Sequence, residues 1–128
     1  MHTIDIHAHF FPESWPDFAA RFGSPDWPWM KPLGDGQAMI MLGNREFRHI
    51  TQVCWDPIRR VEDLERQGVD LQVISATPVL FSYHRPREQA LEIARIFNRA
   101  GNVQARKWPP QGALSGAFAG YRRLLRRG

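Results

Sequence analysis

The segment IDIHAHFFP at residues 4–12 constrains the fold of this chain more than any other stretch. Its β-branched beginning predicts a short buried strand over residues 2–7, and Pro12 ends the extended stretch. The chain has 128 residues, enough for one small domain and far fewer than the about 250 that a closed eightfold β/α barrel needs. The strand therefore belongs to a fold of at most one domain.

Two histidines stand at the C-terminal end of this predicted strand. Because successive side chains of a strand point to opposite faces, His7 and His9 are expected to share a face with Asp5. The opposite face is apolar and comprises Ile4, Ile6 and Ala8. Imidazole is a good zinc ligand, so the pair predicts half of a metal site, although a bare His-x-His also arises by chance.

The residues after the histidines predict a β/α repeat with an enlarged first connection. Residues 12–22 fit one helical turn, and the prolines and glycines beyond them argue against long regular elements through about residue 36. Residues 38–42 and 47–53 predict a small antiparallel pair joined around Gly43. Together these predictions describe a small β insertion after the first strand.

Two helices and a second strand complete the predicted repeat. Pro57, with Asp56 as its cap, starts a helix that Gly68 ends, and residues 69–76 form the next strand. Pro86 opens the second helix. The residues expected on the buried helix faces are Ile58, Val61 and Leu64, then Ala90, Leu91, Ala94 and Phe97. Ligands of such folds bind at the C-terminal ends of strands, where the two histidines lie.

The composition argues against several classes of protein. No apolar run approaches the about 18 residues of a membrane span, and no signal-like segment opens the chain, so we expect neither a membrane partner nor secretion. Cys54 is the only cysteine, which excludes a disulfide within the chain and favours a reducing, cytoplasmic location. All 13 acidic residues lie at or before Glu92, and a break of this kind is typical of a domain boundary, a disordered arm or a foreign segment.

Four blocks of residues resemble one family. The blocks are residues 4–12, Phe47-Arg48, CWDP at residues 54–57 and SATPVLFSY at residues 75–83. In this order they resemble the metal-dependent amidohydrolase superfamily and, within it, the 2-amino-3-carboxymuconate-6-semialdehyde decarboxylases. The resemblance covers about residues 1–98, which we take as one unit.

The remaining residues, 99–128, are expected to be a basic tail that is frameshifted or disordered. Residues 112–121 can be encoded by codons that read, one nucleotide later, as ALCQVPLQD, which resembles the third strand of the family. The chain then represents the N-terminal part of an enzyme and has little activity of its own.

The resemblance implies an α/β fold, namely the N-terminal part of a (β/α)8 TIM barrel with a small β insertion at about residues 13–53. It implies one zinc ion bound by His7 and His9, and a dicarboxylate substrate bound by Arg48 with Phe47. The implied reaction is non-oxidative decarboxylation of a muconate semialdehyde in tryptophan or nitrobenzoate catabolism. Loss of CO₂ leaves an electron pair that needs a sink, and zinc makes hydroxide available near neutral pH.

The family takes its other zinc ligands and its catalytic histidine from later strands, which we do not find in this sequence. The site is therefore expected to be incomplete, because a catalytic zinc usually has three protein ligands. For the full-length form a homodimer is the expectation.

Each assignment has an ordinary structural alternative. Arg48 would by default be a solvated surface charge, the histidines a buried hydrogen-bonded pair, and Asp5 either a group that orients a ligand or a carboxylate with a backbone partner. The tryptophans are expected to pack rather than to stack on bases, and the family places neither of two further histidines at the metal. These residues are Trp15, Trp27, Trp29 and Trp55, and His49 and His84.

Two other functions stay open from the sequence. The first is another amidohydrolase reaction, either hydrolysis or decarboxylation of a hydroxybenzoate. The second is a small nucleic-acid-binding protein that uses the basic residues 121–127. Residues 1–92 are net acidic, which argues against a nucleic-acid partner.

Overall fold

The computed structural model describes the backbone of residues 1–107, 113–116 and 119–123, and the side chains of residues 1–105. These residues form a mixed α/β structure with two sheets. In chain order the elements are β1 (Ile4–Phe10), α1 (Phe18–Phe22), β2 (Pro28–Gly34), β3 (Gln37–Leu42), β4 (Arg45–Thr51), α2 (Pro57–Gln67), β5 (Leu71–Ala76), α3 (Arg87–Lys107), β6 (Ala113–Gly116) and β7 (Ala119–Arg123).

The first sheet has the strand order β1-β5-β7-β6. β1 and β5 are parallel and are connected through α2, which is the strand–helix–strand unit that the sequence predicted. β7 runs antiparallel to β5, and β6 runs antiparallel to β7. The predicted β/α repeat did not include these two antiparallel strands.

A β-bulge interrupts the pairing of β1 with β5. Asp5 pairs with Gln72 and Ala8 pairs with Ile74, so between these two pairs β1 contains one residue more than β5. An extra residue in one strand reverses the faces of the side chains on either side of it. The strict alternation assumed from the sequence therefore fails between Asp5 and Ala8.

The apolar face predicted to be buried in the first strand is largely exposed. Ile4 is 53% and Ile6 78% exposed. The prediction of a buried strand was wrong here because β1 is the edge strand of its sheet and has a partner strand on one side only.

The second sheet lies between β1 and α2 in the sequence and has the order β2-β3-β4. β3 and β4 are the predicted antiparallel pair. β2 was not predicted, because Pro28 and Pro32 argue against a strand. Gly43 N donates to Trp27 O, so the backbone polar groups of Trp27 point toward β3. Because these groups alternate in direction along a strand, those of Pro28 and Pro32 point away from β3, to the open side of this edge strand, where no N–H group is needed.

The predicted helix ends are confirmed. Asp56 caps α2 by accepting from Ile58 N and Arg59 N, and Gly68 ends it with φ +70°. The buried faces were predicted less well, because Ile58 and Leu91 are exposed whereas Arg60 and Ile93 are buried. α3 also runs without a break past residue 98.

The core lies between the second sheet, α1 and α3. It is built from aromatic and aliphatic side chains of the second sheet, of these two helices and of the segments between the elements. The buried members are Phe11, Phe18, Trp27, Ala38, Ile40, Ile50, Leu80, Ile93 and Phe97. Phe18 is central, since its ring lies 5.5 Å from that of Trp27 and 6.0 Å from that of Phe97. The second sheet is thereby fixed to the elements that follow β5.

Gly43 is a position where a larger residue is expected to destabilise the second sheet. Its φ is +59°, and an added Cβ would lie 2.8 Å from Pro25 O. Gly43→Ala should lower the free energy of unfolding by about 3 kcal/mol, the upper end of the usual cost of a strained left-handed residue. Urea denaturation measures this loss. Gly23→Ala is the matched control, because Gly23 has φ +76° with open space around it. Equal losses in the two variants would contradict the expected clash.

Parts of the predicted tail lie outside the described residues, namely 108–112, 117–118 and 124–128. Its origin and the unit boundary near residue 98 stay predictions. Within the described segments, no helix is long and apolar enough to cross a membrane.

Candidate metal site

His7 and His9 converge at the C-terminal part of β1. Their Nε2 atoms lie 3.2 Å apart, and the two rings meet edge to face with centroids 5.0 Å apart. Two nitrogen ligands of a tetrahedral zinc ion, each roughly 2.0–2.1 Å from the metal, lie about 3.3 Å from each other. In this structure the separation is that of a hydrogen bond between the two rings, and it also fits two nitrogen ligands of one zinc ion.

Ser75 orients the His9 ring. It stands opposite His9 in the register of β1 with β5, and its Oγ lies 3.0 Å from His9 Nδ1. When Nδ1–H donates to this hydroxyl, the lone pair of Nε2 is left for a metal, as is usual for histidine ligands. Ser75 was not predicted to belong to the site, although its place at the end of the second strand was the available signal.

A third ligand is absent from the described part of the chain. No group of three or more histidine, cysteine, aspartate or glutamate side chains there is arranged to hold a metal ion. Weak zinc binding by the 128-residue chain is the consequence we expect, because two ligands do not close a site. Isothermal titration with zinc chloride measures this. A tight one-to-one complex would show that the chain supplies further ligands.

Asp5 lies on the opposite face of the sheet from the histidines, contrary to the sequence prediction. Its Oδ2 accepts from Gln72 Nε2 at 2.7 Å, and its Oδ1 accepts from the backbone N–H of His7 at 3.1 Å. Gln72 and Ser75 are three residues apart in β5, so the partners of Asp5 and His9 face opposite sides. Asp5 thus holds the backbone of His7 rather than an imidazole.

The same hydrogen bonds favour the ionised form of Asp5. The bond from Gln72, followed by that from the His7 backbone, lowers the pKa of the carboxyl below its ordinary value. A carboxyl with a lowered pKa in the folded state stabilises the fold above its unfolded pKa, and this contribution disappears as the pH falls through the folded value.

Asp5→Asn is therefore expected to destabilise the chain at neutral pH. The difference from the unsubstituted chain should shrink below about pH 4, where the unfolded carboxyl becomes protonated. Urea unfolding at a series of pH values tests this. A difference that is constant down to pH 3 would contradict the role of the ionised carboxylate.

Arg60 is a buried cation that the sequence did not mark. Its guanidinium donates to Gln72 Oε1 at 3.1 Å, to the carbonyl of His9 at 2.9 Å and to the carbonyl of Cys54 at 3.1 Å. Burial lowers the pKa of Arg60, but arginine stays protonated in proteins. Arg60 therefore links α2 to both strands beneath the histidines.

Phe47 and Arg48 lie on β4, in the second sheet. Arg48 pairs with the buried Ile40, so it shares the core-facing side of the sheet, although it is itself exposed. Its Cζ lies 5.7 Å from the centroid of the Phe47 ring. Among the described residues, Arg48 forms no ion pair and no hydrogen bond with either histidine. The structure thus leaves its guanidinium available and does not bring it into contact with the metal pair.

Three of the other residues considered from the sequence, Trp15, Trp29 and His49, have hydrogen-bond partners of their own. Trp15 donates its indole N–H to Pro28 O, and Trp29 donates to Gly43 O. His49 contacts Gln37 in the second sheet. An open cleft of about 670 Å³ is lined by Trp15, Trp27 and Trp29 and includes neither His7 nor His9.

Curated relatives share this sequence in part. A 2-amino-3-carboxymuconate-6-semialdehyde decarboxylase of Dictyostelium discoideum is 36% identical over 95 residues, which are 74% of this chain and 26% of the relative. A protein of the same name in Caenorhabditis elegans is 32% identical over 106 residues, 83% of this chain and 26% of the relative. One in Sus scrofa is 35% identical over 49 residues, 38% of this chain and 36% of the relative.

The comparisons confirm the resemblance inferred from the four blocks. This chain spans about a quarter of the length of the first two relatives. No family model matches the chain.

Proposed function

We propose, from this kinship with the 2-amino-3-carboxymuconate-6-semialdehyde decarboxylases, that the chain supplies the first part of a zinc-dependent, non-oxidative decarboxylase. The observation that carries the proposal is the convergence of His7 Nε2 and His9 Nε2 at 3.2 Å. It stands at the C-terminal ends of the parallel strands β1 and β5, where active sites of β/α barrels are built. The three-stranded sheet between β1 and α2 is, in this proposal, the insertion of such a barrel.

Zinc, when bound, supplies Lewis-acid and water-activating chemistry. The residues of this chain would hold and orient the ion: His7 and His9 would offer two imidazole nitrogens, and Ser75, whose Oγ lies 3.0 Å from His9 Nδ1, orients the ring of His9. The other ligands of a catalytic site come, in this proposal, from a longer protein.

Arg48 is proposed to bind a carboxylate of the substrate. A guanidinium forms two parallel hydrogen bonds with a carboxylate, which fixes both the position and the orientation of the substrate. Phe47 stacks beside the guanidinium and limits the conformations that its side chain explores. The substrate class that fits is a small dicarboxylate, such as the semialdehyde for which the relatives are named.

A chimaera tests this function without requiring activity of the short chain. In it, the matched segment of the Dictyostelium discoideum decarboxylase is replaced with the matching residues of this chain. We expect release of CO₂ from 2-amino-3-carboxymuconate-6-semialdehyde at a rate within about tenfold of that of the parent enzyme. The reason is that the histidine pair, and Arg48 with Phe47, are carried into the chimaera together with the backbone that positions them. A folded, zinc-loaded chimaera that acts only on a hydroxybenzoate or only as a hydrolase would overturn the assignment.

A further inference from the structure

We infer that Arg60 is a positioning residue for the proposed metal pair and holds the bulge of β1 in the shape that brings the two imidazoles together. The inference rests on the proposed function, since it concerns the zinc site of His7 and His9. It adds a residue of α2 that neither the motif blocks nor the pattern of apolar residues marked.

The hydrogen bonds of Arg60 reach the segment that carries the histidines by two routes. Directly, its guanidinium donates to the carbonyl of His9. Indirectly, it donates to Gln72, the amide of Gln72 donates to Asp5, and Asp5 accepts from the backbone N–H of His7. The network therefore holds the backbone at both histidines.

This hydrogen-bond network spans the irregular part of β1. The bulge lies between Asp5 and Ala8, where the regular pairing with β5 is interrupted. Interrupted pairing leaves backbone groups without their usual strand partners, so other groups must fix the conformation. Asp5 on one side of the bulge and the His9 carbonyl on the other are both tied to Arg60 and Gln72.

A buried cation at this position costs free energy of folding. Arg60 is 7% exposed, and within the described residues it has no ion pair and its Nε has no hydrogen-bond partner. Burying a charge in this way is unfavourable for stability, and replacement of such groups with apolar residues is often tolerated. Stability alone thus gives little reason for an arginine at this position, whereas the need to hold three carbonyl oxygens, those of Gln72, His9 and Cys54, does.

The test is zinc binding by the whole 128-residue chain, titrated with zinc chloride and followed through the NMR signals of the His7 and His9 rings. Arg60→Met removes the donors and keeps the apolar stem. We expect the Kd for zinc to rise about 10- to 100-fold, the usual effect of losing a partner of a metal ligand. Arg60→Lys should recover only part of the affinity, because an ammonium cannot form the same planar set of hydrogen bonds.

Two controls separate positioning from folding. Arg59→Met alters the neighbouring exposed arginine, which pairs with Glu62, and should leave the Kd unchanged. Gln72→Met cuts only the indirect route and should give a smaller rise. A folded Arg60→Met chain that binds zinc within twofold of the original would overturn the inference. If that variant does not fold, a Gln72→Met chain with an unchanged Kd overturns it instead.

The same titration distinguishes this inference from the proposed function. If His7→Ala and His9→Ala abolish the zinc-dependent shifts while Arg60→Met has no effect, only the positioning role is wrong. If the alanine variants bind zinc as the original does, the metal site itself is wrong and the inference falls with it.

Discussion

His7→Ala and His9→Ala are each expected to reduce decarboxylation by the chimaera to the uncatalysed level. Each substitution removes one of the two nitrogens that converge at 3.2 Å, and a zinc site that loses a ligand loses affinity and the geometry of its remaining ligands. The expected effect is larger than that of any other substitution considered in this chain. Turnover of the semialdehyde by the purified variants measures it.

The matched control for these variants is His49→Ala. His49 is an exposed histidine of β4 that contacts Gln37. It should leave turnover near that of the unsubstituted chimaera. If all three alanine variants lose activity alike, or if His7→Ala and His9→Ala stay active, the histidine pair is not a metal site.

Arg48→Ala is expected to lower kcat/KM of the chimaera by about 100-fold, mostly through KM, with the zinc content unchanged. Two hydrogen bonds to a charged carboxylate at about 1.5 kcal/mol each account for this size, since each 1.4 kcal/mol is a factor of ten. Arg48→Lys should recover only part of the loss, because lysine lacks the planar pair of donors.

Arg45→Ala provides the comparison for Arg48. Arg45 lies on the same strand and is also exposed. It should change kcat/KM by less than twofold. Unchanged kinetics in Arg48→Ala would remove this residue from substrate binding, and equal losses in both variants would point to damage of the second sheet.

Local signals in the sequence predicted the regular elements well. Asp56, Pro57 and Gly68 fixed α2 because capping and a left-handed C-terminal residue act within a few neighbouring residues. The hairpin of β3 and β4 followed from the Gly43-Asn44 turn in the same way. Such features need no knowledge of distant contacts.

Features that depend on tertiary contacts were not predicted. The prolines of β2 argued against a strand, and only the edge position of β2 in its sheet makes them compatible with one. From the sequence, Arg60 would be assigned to the solvent-exposed face of its helix. In the structure it is buried, and its guanidinium donates hydrogen bonds to three acceptors outside the helix.

In the candidate site, too, some positions could be predicted from local spacing and others depended on tertiary contacts. The spacing of His7 and His9 predicted their shared face, and the convergence of their Nε2 atoms agrees with it, although His7 itself lies within the bulge. The spacing of Asp5 predicted that face too, but the bulge reversed it. Whether a strand contains a bulge depends on its partner strand and on groups such as Arg60, so the sequence of β1 alone did not reveal it.

The metal content of the chimaera tests the central claim most directly. Mass spectrometry of the purified protein should find one zinc ion per chain in the unsubstituted chimaera and almost none in the His7→Ala/His9→Ala variant, with both proteins folded. This difference follows if the two nitrogens belong to the metal site. Equal zinc content in the two proteins would contradict the account.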